Sequence, residues 1–332
     1  MWDKLPKPFY ILAPMEGVTD TVFRQIIVST GKPDVFFTEF VPVDAILSKG
    51  KPAIMQSLDY SEIERPIVAQ IWGTDPEKFE KVAKMLVKMG FDGIDINMGC
   101  PVRDVVKTGA CSALINNPKL AKEIILATIK GAGKLPVSVK TRIGFSEIQT
   151  EQWVKHLLET PIAALTLHLR TAKEQSIPPA HWEEIGRAVK IRNEMGSKTL
   201  IIGNGDVKTL KEAKEKVEKY NIDGVMIGRG IFENVYLFNN ATRFKKRRDE
   251  IASDYESIDP TTITPTQKIE LLLKHLELYK QIKGDGKHFQ LMKKFVKCYV
   301  NNFPGANGMR AKLMEARTLE ELITGAKNLD FN

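Results

Sequence analysis

Two side chains able to do chemistry stand three residues apart in Asn97-Met98-Gly99-Cys100-Pro101. Asn97 brings an amide suited to hydrogen bonding, and Cys100 a thiol suited to acid–base or covalent chemistry. The run before them, Gly93-Ile94-Asp95-Ile96, alternates Ile with Asp and then stops at Gly99 and Pro101. Gly frees the backbone dihedrals and Pro lacks a ladder donor, so a strand should end here and turn outward. Amide and thiol would then sit at the strand's C-terminal end. Taken alone, the pentapeptide is equally served by Cys100 as a small buried hydrophobe.

The rest of the chain repeats the arrangement. Glu16, Glu39, Gln70, Asn97 with Cys100, Lys140 with Arg142, His168 with Arg170, Asn204 with Asp206, and Arg229 all lie at or just past the ends of short apolar runs. Any one of them could cap a helix or pair with a neighbour. Together they read as one site. The last two are set in Gly-rich turns, Gly203-Asn204-Gly205-Asp206 and Gly228-Arg229-Gly230. Such turns let backbone N–H groups approach an anion, and Arg229 can bind phosphate, so a bound phosphate is expected here. No GxxxxGK[ST] occurs, which excludes a P-loop nucleotide triphosphatase.

The elements that must position these groups are eight apolar runs, at residues 10–15, 35–40, 66–72, 93–97, 137–140, 164–169, 199–202 and 224–227. Most are near-continuous Val, Ile, Leu or Phe, as parallel strands covered on both faces require. Helical patterns separate most of them, for example Phe79, Val82, Ala83, Leu86 and Val87 after the N-cap signal Asp75-Pro76. This rhythm is that of an α/β (β/α)8 TIM barrel, whose strand ends meet on one face and often carry a phosphate site after strands seven and eight.

The texture changes after Phe238. A basic run from Arg243 to Arg248 and a turn-rich acidic passage precede Thr264-Pro265-Thr266-Gln267, a capping box with Pro at the first helical position. Apolar stripes at Ile269, Leu272, Leu273, Leu276, Tyr279 and then Met292, Phe295, Val296, Tyr299 follow. The expected division is a barrel over 1–240, a linker over 241–262 and a small C-terminal helical domain over 263–332. From Lys283 to Lys312 seven Lys or Arg face one acid, Asp285. A solvated Lys-rich face would look the same.

Composition narrows the class further. The chain has 332 residues, a formal net charge of +8, and three Cys without CxxC spacing. Neither a disulfide framework nor a metal site is expected, and a reducing compartment is. The start lacks a signal-peptide pattern and no run approaches a membrane span, so the expectation is a cytoplasmic protein. The positive charge favours a polyanionic partner.

With these pieces placed, the chain resembles the tRNA-dihydrouridine synthase family along almost its whole length. The resemblance is carried by Ala13-Pro14-Met15-Glu16-Gly17-Val18-Thr19-Asp20, Ala69-Gln70-Ile71-Trp72-Gly73, Ile96 through Pro101, Val139-Lys140-Thr141-Arg142-Ile143-Gly144, His168-Leu169-Arg170-Thr171, Gly203 through Asp206 and Gly228 through Gly230, in that order. It implies an FMN-binding barrel and a helical domain that together act on tRNA. The implied reaction reduces the C5–C6 double bond of specific uridines to 5,6-dihydrouridine, with NADPH or NADH as electron source. Pro14, Met15 and Glu16 would line the flavin ring, Gln70 would bond its polar edge, and Lys140 would stabilise charge on it. Asn204, Gly205, Asp206, Gly228 and Arg229 would hold its phosphate. His168 belongs with the flavin set and also, with Asn97 and Arg170, with the candidates for the uracil face. Lys293, Lys294 and Lys297 would meet the tRNA. Cys100 would pass a proton to C5 after hydride reaches C6, a role for which a strongly lowered pKa would not help. A monomer without metal is expected.

Three positions depart from the family's usual pattern: Glu16, Cys111 in Gly109-Ala110-Cys111-Ser112, and His181. Cys111 is a second candidate thiol, ranked below Cys100 because it lacks the strand-end turn. Two other readings stand beside this one, an FMN barrel reductase of small molecules and a non-catalytic RNA-binding barrel. The basic tail argues against the first and the intact strand-end set against the second.

Overall fold

The computed structural model describes residues 1–49, 54–239, 263–284 and 289–329. The expected linker over 241–262, with its basic run, and Asp285 and Lys287 of the basic tail lie outside the described residues. The described chain divides into two compact units, Met1–Asp20 with Pro33–Gly228, and Thr21–Lys32 with Arg229–Asn332.

The first unit is a barrel. Its strands are β1 (Phe9–Leu12), β2 (Phe36–Pro42), β3 (Ile67–Trp72), β4 (Gly93–Met98), β5 (Val137–Arg142), β6 (Ala164–His168), β7 (Leu200–Asn204) and β8 (Gly224–Ile227). They pair in parallel in the order β1-β8-β7-β6-β5-β4-β3-β2. A bridge between Ile11 and Val35, with Asp34 N–H donating to the Tyr10 carbonyl at 2.8 Å, closes the ring. The expected eight strands are all present, most within two residues of their expected ends.

Alternation along each strand sorts the interior into layers. Ile11, Phe37, Val68, Ala164, Ile202 and Met226 form one apolar cluster, packed on Phe9 and Trp2. The Trp2 ring lies 5.9 Å from that of Phe9 and 6.5 Å from that of Phe37, plugging the N-terminal end of the barrel. Two residues further along the same faces come Gln70, Thr166, Asn204 and Gly228. The interior therefore changes from apolar to polar as the strands approach their C-terminal ends. That gradient is what a parallel barrel needs to keep a packed core beneath a reactive rim.

Between the strands run α2 (Pro76–Lys88), α3 (Pro118–Ala132), α4 (Thr150–Leu158), α5 (Glu183–Glu194) and α6 (Leu210–Tyr220), while α1 (Thr21–Thr30) belongs to the second unit. Helix α2 starts as its sequence dictates, the Asp75 carboxylate accepting the N–H groups of Glu77 and Lys78 ahead of Pro76.

The second unit is helical: α1, then α7 (Pro265–Lys283), α8 (Gln290–Tyr299), α9 (Ala306–Met314) and α10 (Leu319–Lys327). The Thr264–Gln267 capping box opens α7 with both reciprocal hydrogen bonds, at 3.2 and 2.8 Å. Phe23 of α1 packs its ring 4.9 Å from Phe295 and 5.7 Å from His275. His275 is fully buried and bonded through Nδ1 to Tyr299 Oη at 2.8 Å. Burial pushes its pKa down to about 3, so it is a neutral core residue. No described helix is long and apolar enough to cross a membrane.

Candidate active site

Cys100 sits one turn beyond β4, and the turn is held from three sides. Asn97 Oδ1 accepts the N–H groups of Gly99 and Cys100, both at 3.0 Å. Arg142 Nε donates to the Gly99 carbonyl at 2.7 Å, and Thr141 Oγ1 to the Met98 carbonyl at 3.0 Å. Ser112 N–H donates to the Cys100 carbonyl at 3.3 Å. Arg142 also spends Nη1 on the carbonyls of Thr171 and Gln175, at 2.9 and 2.6 Å, so one guanidinium ties the β4 turn to the loop after β6. Trp153 of α4 fixes Thr141 in turn, donating Nε1 to its hydroxyl at 3.0 Å.

Asp95, whose role the sequence did not suggest, sets the orientation of this system. Its buried carboxylate accepts from Ser138 Oγ at 2.5 Å and Gln70 Nε2 at 2.7 Å. An ionised carboxylate only accepts, so Gln70 must turn its amino group to it. Gln70 Oε1 then faces Asn97 and takes its Nδ2–H at 3.1 Å, which leaves Asn97 Oδ1 for the Cys100 turn. Burial lifts the pKa of Asp95 to about 6 against the pull of these hydrogen bonds, so it is ionised at neutral pH. Gln70 has no exposed surface, and one N–H and one lone pair are all its amide has left for another partner.

The cationic side of the site is built on β5 and β6. Lys140, half-buried, donates Nζ to Asn204 Oδ1 at 3.2 Å, and Asn204 Nδ2 donates to the Met226 carbonyl at 2.8 Å. Burial, then the charge of Arg142, lowers the Lys140 pKa to about 8. Arg170 is buried at 2% exposure. It donates Nε to the Pro178 carbonyl at 2.5 Å and pairs through Nη2 with Asp206, while its buried Nη1 has no hydrogen-bond partner among the described residues. The Asp206 carboxylate, which also accepts the Ala180 N–H at 2.9 Å, is thus turned to Arg170. An ionised carboxylate cannot donate, so Asp206 would meet an anion only through its main chain.

Other expected site residues fall as follows. Pro14 is buried, Met15 and His168 are half-buried, and Glu16 is exposed. The Met15 N–H donates to Thr19 Oγ1 at 2.9 Å and its carbonyl accepts from Val18 and Thr19, so its side chain is what it has for a ligand. Gly203 is glycine for packing, since a Cβ there would fall 2.6 Å from the Trp182 ring. Gly228 is different: a Cβ would meet only Ala13 and Met15, at 3.6 and 3.7 Å. Arg229 follows it directly in the chain and opens the second unit, exposed. Within that unit Lys293 donates to the Met314 carbonyl at 2.8 Å and lies over the Phe289 ring, Lys294 lies over Phe295, and Lys297 is exposed.

A strongly lowered pKa would not help a proton donor, yet the structure holds the Cys100 thiol down at about 6. A hydrogen bond from the Cys111 thiol is the main cause, and the Val102 N–H and the charges of Arg142 and Lys140 add to it against burial. Cys111, fully buried, keeps its proton well above the usual thiol range. The surroundings thus favour the ionised form of Cys100 and the protonated form of Cys111. Removing the donor tests this: in Cys111→Ala the midpoint of Cys100 alkylation by iodoacetamide is expected to move up from about pH 6 toward the ordinary thiol value of about 8.5. The midpoint is the reading, because a weaker acid is a better nucleophile and the rates partly compensate. An unmoved midpoint would show that Cys111 does not set it.

Known proteins resemble this chain along most of its length. A family model described as dihydrouridine synthase matches residues 11–331. The chain is 44% identical over 323 residues to a probable tRNA-dihydrouridine synthase of Staphylococcus aureus (strain COL), covering 96% of this chain and 92% of the relative. It is 39% identical over 324 residues to probable tRNA-dihydrouridine synthase 2 of Bacillus subtilis (strain 168), covering 97% and 94%. In fold it is similar to morphinone reductase, with a TM-score of 0.52 and 13% identity over 79% of this chain and 90% of that one.

Proposed function

The chain belongs to the dihydrouridine synthase family, and on that premise we propose that it reduces specific uridines of tRNA to 5,6-dihydrouridine, using FMN and NAD(P)H. The observation that carries this reading is the Cys100 thiol at the end of β4, clamped by Asn97 and Arg142 within one barrel that also presents Lys140.

The residues present fit a flavin phosphate and ring. The backbone at Gly228 is open beside Met15, and Lys140 is a half-buried cation. In this reading Pro14, Met15 and Glu16 border the ring, with Gln70, Lys140 and His168 toward its polar edge. The turns Asn204-Gly205-Asp206 and Gly228-Arg229 hold the phosphate, Asp206 through its N–H. Bound and reduced, the flavin would supply hydride to C6 of the uracil.

What remains to the protein is the proton for C5, the orientation of the base and the exclusion of water. Asn97 can present only its second N–H, because both lone pairs of Oδ1 are taken. It therefore recognises an acceptor such as a uracil carbonyl. Arg170, whose buried Nη1 has no hydrogen-bond partner among the described residues, would be the second base contact. Cys100 gives the proton. A base stacked over the thiol removes the water that supports the thiolate, which raises the Cys100 pKa and loads the proton where it is needed. Lys293, Lys294 and Lys297 bind tRNA phosphates.

Purified protein is expected to be yellow and to release FMN on denaturation, and to form dihydrouridine on unmodified tRNA when given NADPH. Arg229→Ala should weaken FMN retention by roughly 1.5–3 kcal/mol, the worth of a charge-assisted hydrogen bond. Release of FAD, or no flavin after reconstitution, would mean the site has been misread. Mapping dihydrouridine in tRNA from cells with and without the protein tests the substrate directly.

A further inference from the structure

We propose that Asp95 is a positioning residue for the Cys100 turn, and that what it supplies is hydrogen-bond direction: positions 70 and 95 must hold one acid between them. The contacts follow from strand register. Gln70, Asp95 and Ser138 are register partners on β3, β4 and β5, so the ladder itself sets their side chains side by side. All three are buried, and the Asp95 carboxylate takes Ser138 Oγ–H at 2.5 Å and Gln70 Nε2–H at 2.7 Å. Lys140, the charged residue next along β5, gives its hydrogen bond to Asn204, so among the described residues neutral donors alone hold Asp95.

A buried carboxylate is costly, and a well-packed apolar side chain often serves stability as well or better. Its use here is different. Amides and hydroxyls both donate and accept, so a chain made only of them could run either way. A carboxylate accepts only. Reversing Gln70 would set Oε1 against Asp95 and Nε2 against Asn97 Nδ2, acceptor on acceptor and donor on donor. Reversing Asn97 as well would turn its Nδ2 on the N–H groups of Gly99 and Cys100. Direction therefore passes from residues fixed in the strand ladder to a turn beyond the end of β4. The same logic lets the acid change places. When Gln70→Glu is combined with Asp95→Asn, the new amide at 95 accepts from Ser138 and donates to the new carboxylate at 70, which also accepts from Asn97.

Hydrogen exchange at the Gly99 and Cys100 amides of the full-length protein reads the turn without tRNA or turnover. In Asp95→Asn the pair holds no acid, both directions are open, and protection of these amides is expected to fall about five- to tenfold, the worth of one hydrogen bond. In Gln70→Glu the pair holds two acids. While they share a proton the native direction persists, and protection should fall by a similar factor as rising pH removes that proton. The double variant should regain wild-type protection at every pH, although it carries both changes. Amides of β7 and β8 should stay unaltered throughout, which a general loss of stability would not allow. Wild-type protection in both single variants, or losses that add in the double variant, overturns the proposal. If Gln70→Glu alone does not fold, recovery of fold and protection on adding Asp95→Asn supports the proposal, and failure to recover overturns it. The consequence for turnover rests on the acid role proposed for Cys100: in Asp95→Asn, kcat for uridine reduction should fall with KM for tRNA unchanged. A loosened turn with an unchanged kcat would sink the acid role and leave the hold of Asp95 on the turn standing.

Discussion

Cys100→Ala is expected to fold, to keep its flavin and to accept electrons from NADPH at the wild-type rate, while uridine reduction falls about 10²–10⁴-fold, the usual worth of a positioned general acid. The fold should survive because Asn97 and Arg142 hold the turn through the main chain of residues 99 and 100, which alanine retains. Single-turnover formation of dihydrouridine, followed by mass spectrometry of the tRNA, separates this loss from any defect in flavin reduction. The pH dependence carries a second test. The thiol of the free site is protonated below its pKa of about 6 and ionised above it. A proton-donating Cys100 therefore makes kcat/KM fall about tenfold per pH unit as pH rises beyond 6, since that ratio reports the free enzyme. Cys111→Ala should carry the falling limb to higher pH and cost far less at its optimum. Equal losses in the two alanine variants, or a normal rate in Cys100→Ala, would place the acid elsewhere.

The barrel was legible because its strands are short apolar runs whose alternate residues change from apolar to polar. Val68 to Gln70 and Ile202 to Asn204 each take that step within one strand, and the pattern needs no tertiary knowledge to read. Caps were legible for the same local reason, as Asp75-Pro76 and Thr264 to Gln267 show. What stayed hidden depends on pairs distant in the chain. Asp95 looks like one more alternating residue until Gln70 and Ser138 arrive on the neighbouring strands. Arg170 and Asp206 read as two ligand-binding groups, yet they pair with each other across 36 residues. Helix α1 follows β1 as a barrel helix would, and only the contacts of Phe23 with His275 and Phe295 assign it to the helical unit. The lowered pKa of Cys100 was hidden most completely, because it comes from Cys111 in a loop without periodicity.

Asp95 also explains why so polar a barrel end is ordered. Amides can be reversed at little cost, but a chain of them anchored on a carboxylate has one satisfied direction. That direction runs from Asp95 through Gln70 and Asn97 to the main chain of Cys100. On the neighbouring strand Lys140, the register partner of Asn97, begins a second chain through Asn204 to the Met226 carbonyl, from a cation to an acceptor. The first chain leaves Asn97 one Nδ2–H and the second leaves the Lys140 ammonium further N–H groups, donors that would suit the carbonyl-rich rings of the proposed reaction.

Replacing Lys293, Lys294 and Lys297 together by Gln is expected to weaken tRNA binding and flatten its salt dependence, with flavin reduction by NADPH unchanged. Sequence-independent affinity for RNA comes from phosphate contacts that release counterions, at about 0.7–0.9 log units of salt slope per phosphate. Three full contacts would remove roughly 2–2.7 units of slope by that measure. The structure divides the three unequally. Lys293 already donates to the Met314 carbonyl and must give up that bond to reach a phosphate, whereas Lys297 is exposed beside the C-terminal end of α8. Lys297→Gln alone should therefore produce the largest single change and Lys293→Gln the smallest. The defect differs in kind from that of Cys100→Ala: more tRNA or less salt should rescue the lysine variants, and neither should rescue the cysteine variant. Filter binding of unmodified tRNA across a salt series measures both quantities. An unchanged affinity and slope in the triple variant would show that these lysines are a solvated face of the helix, and that the tRNA is held by other parts of the chain.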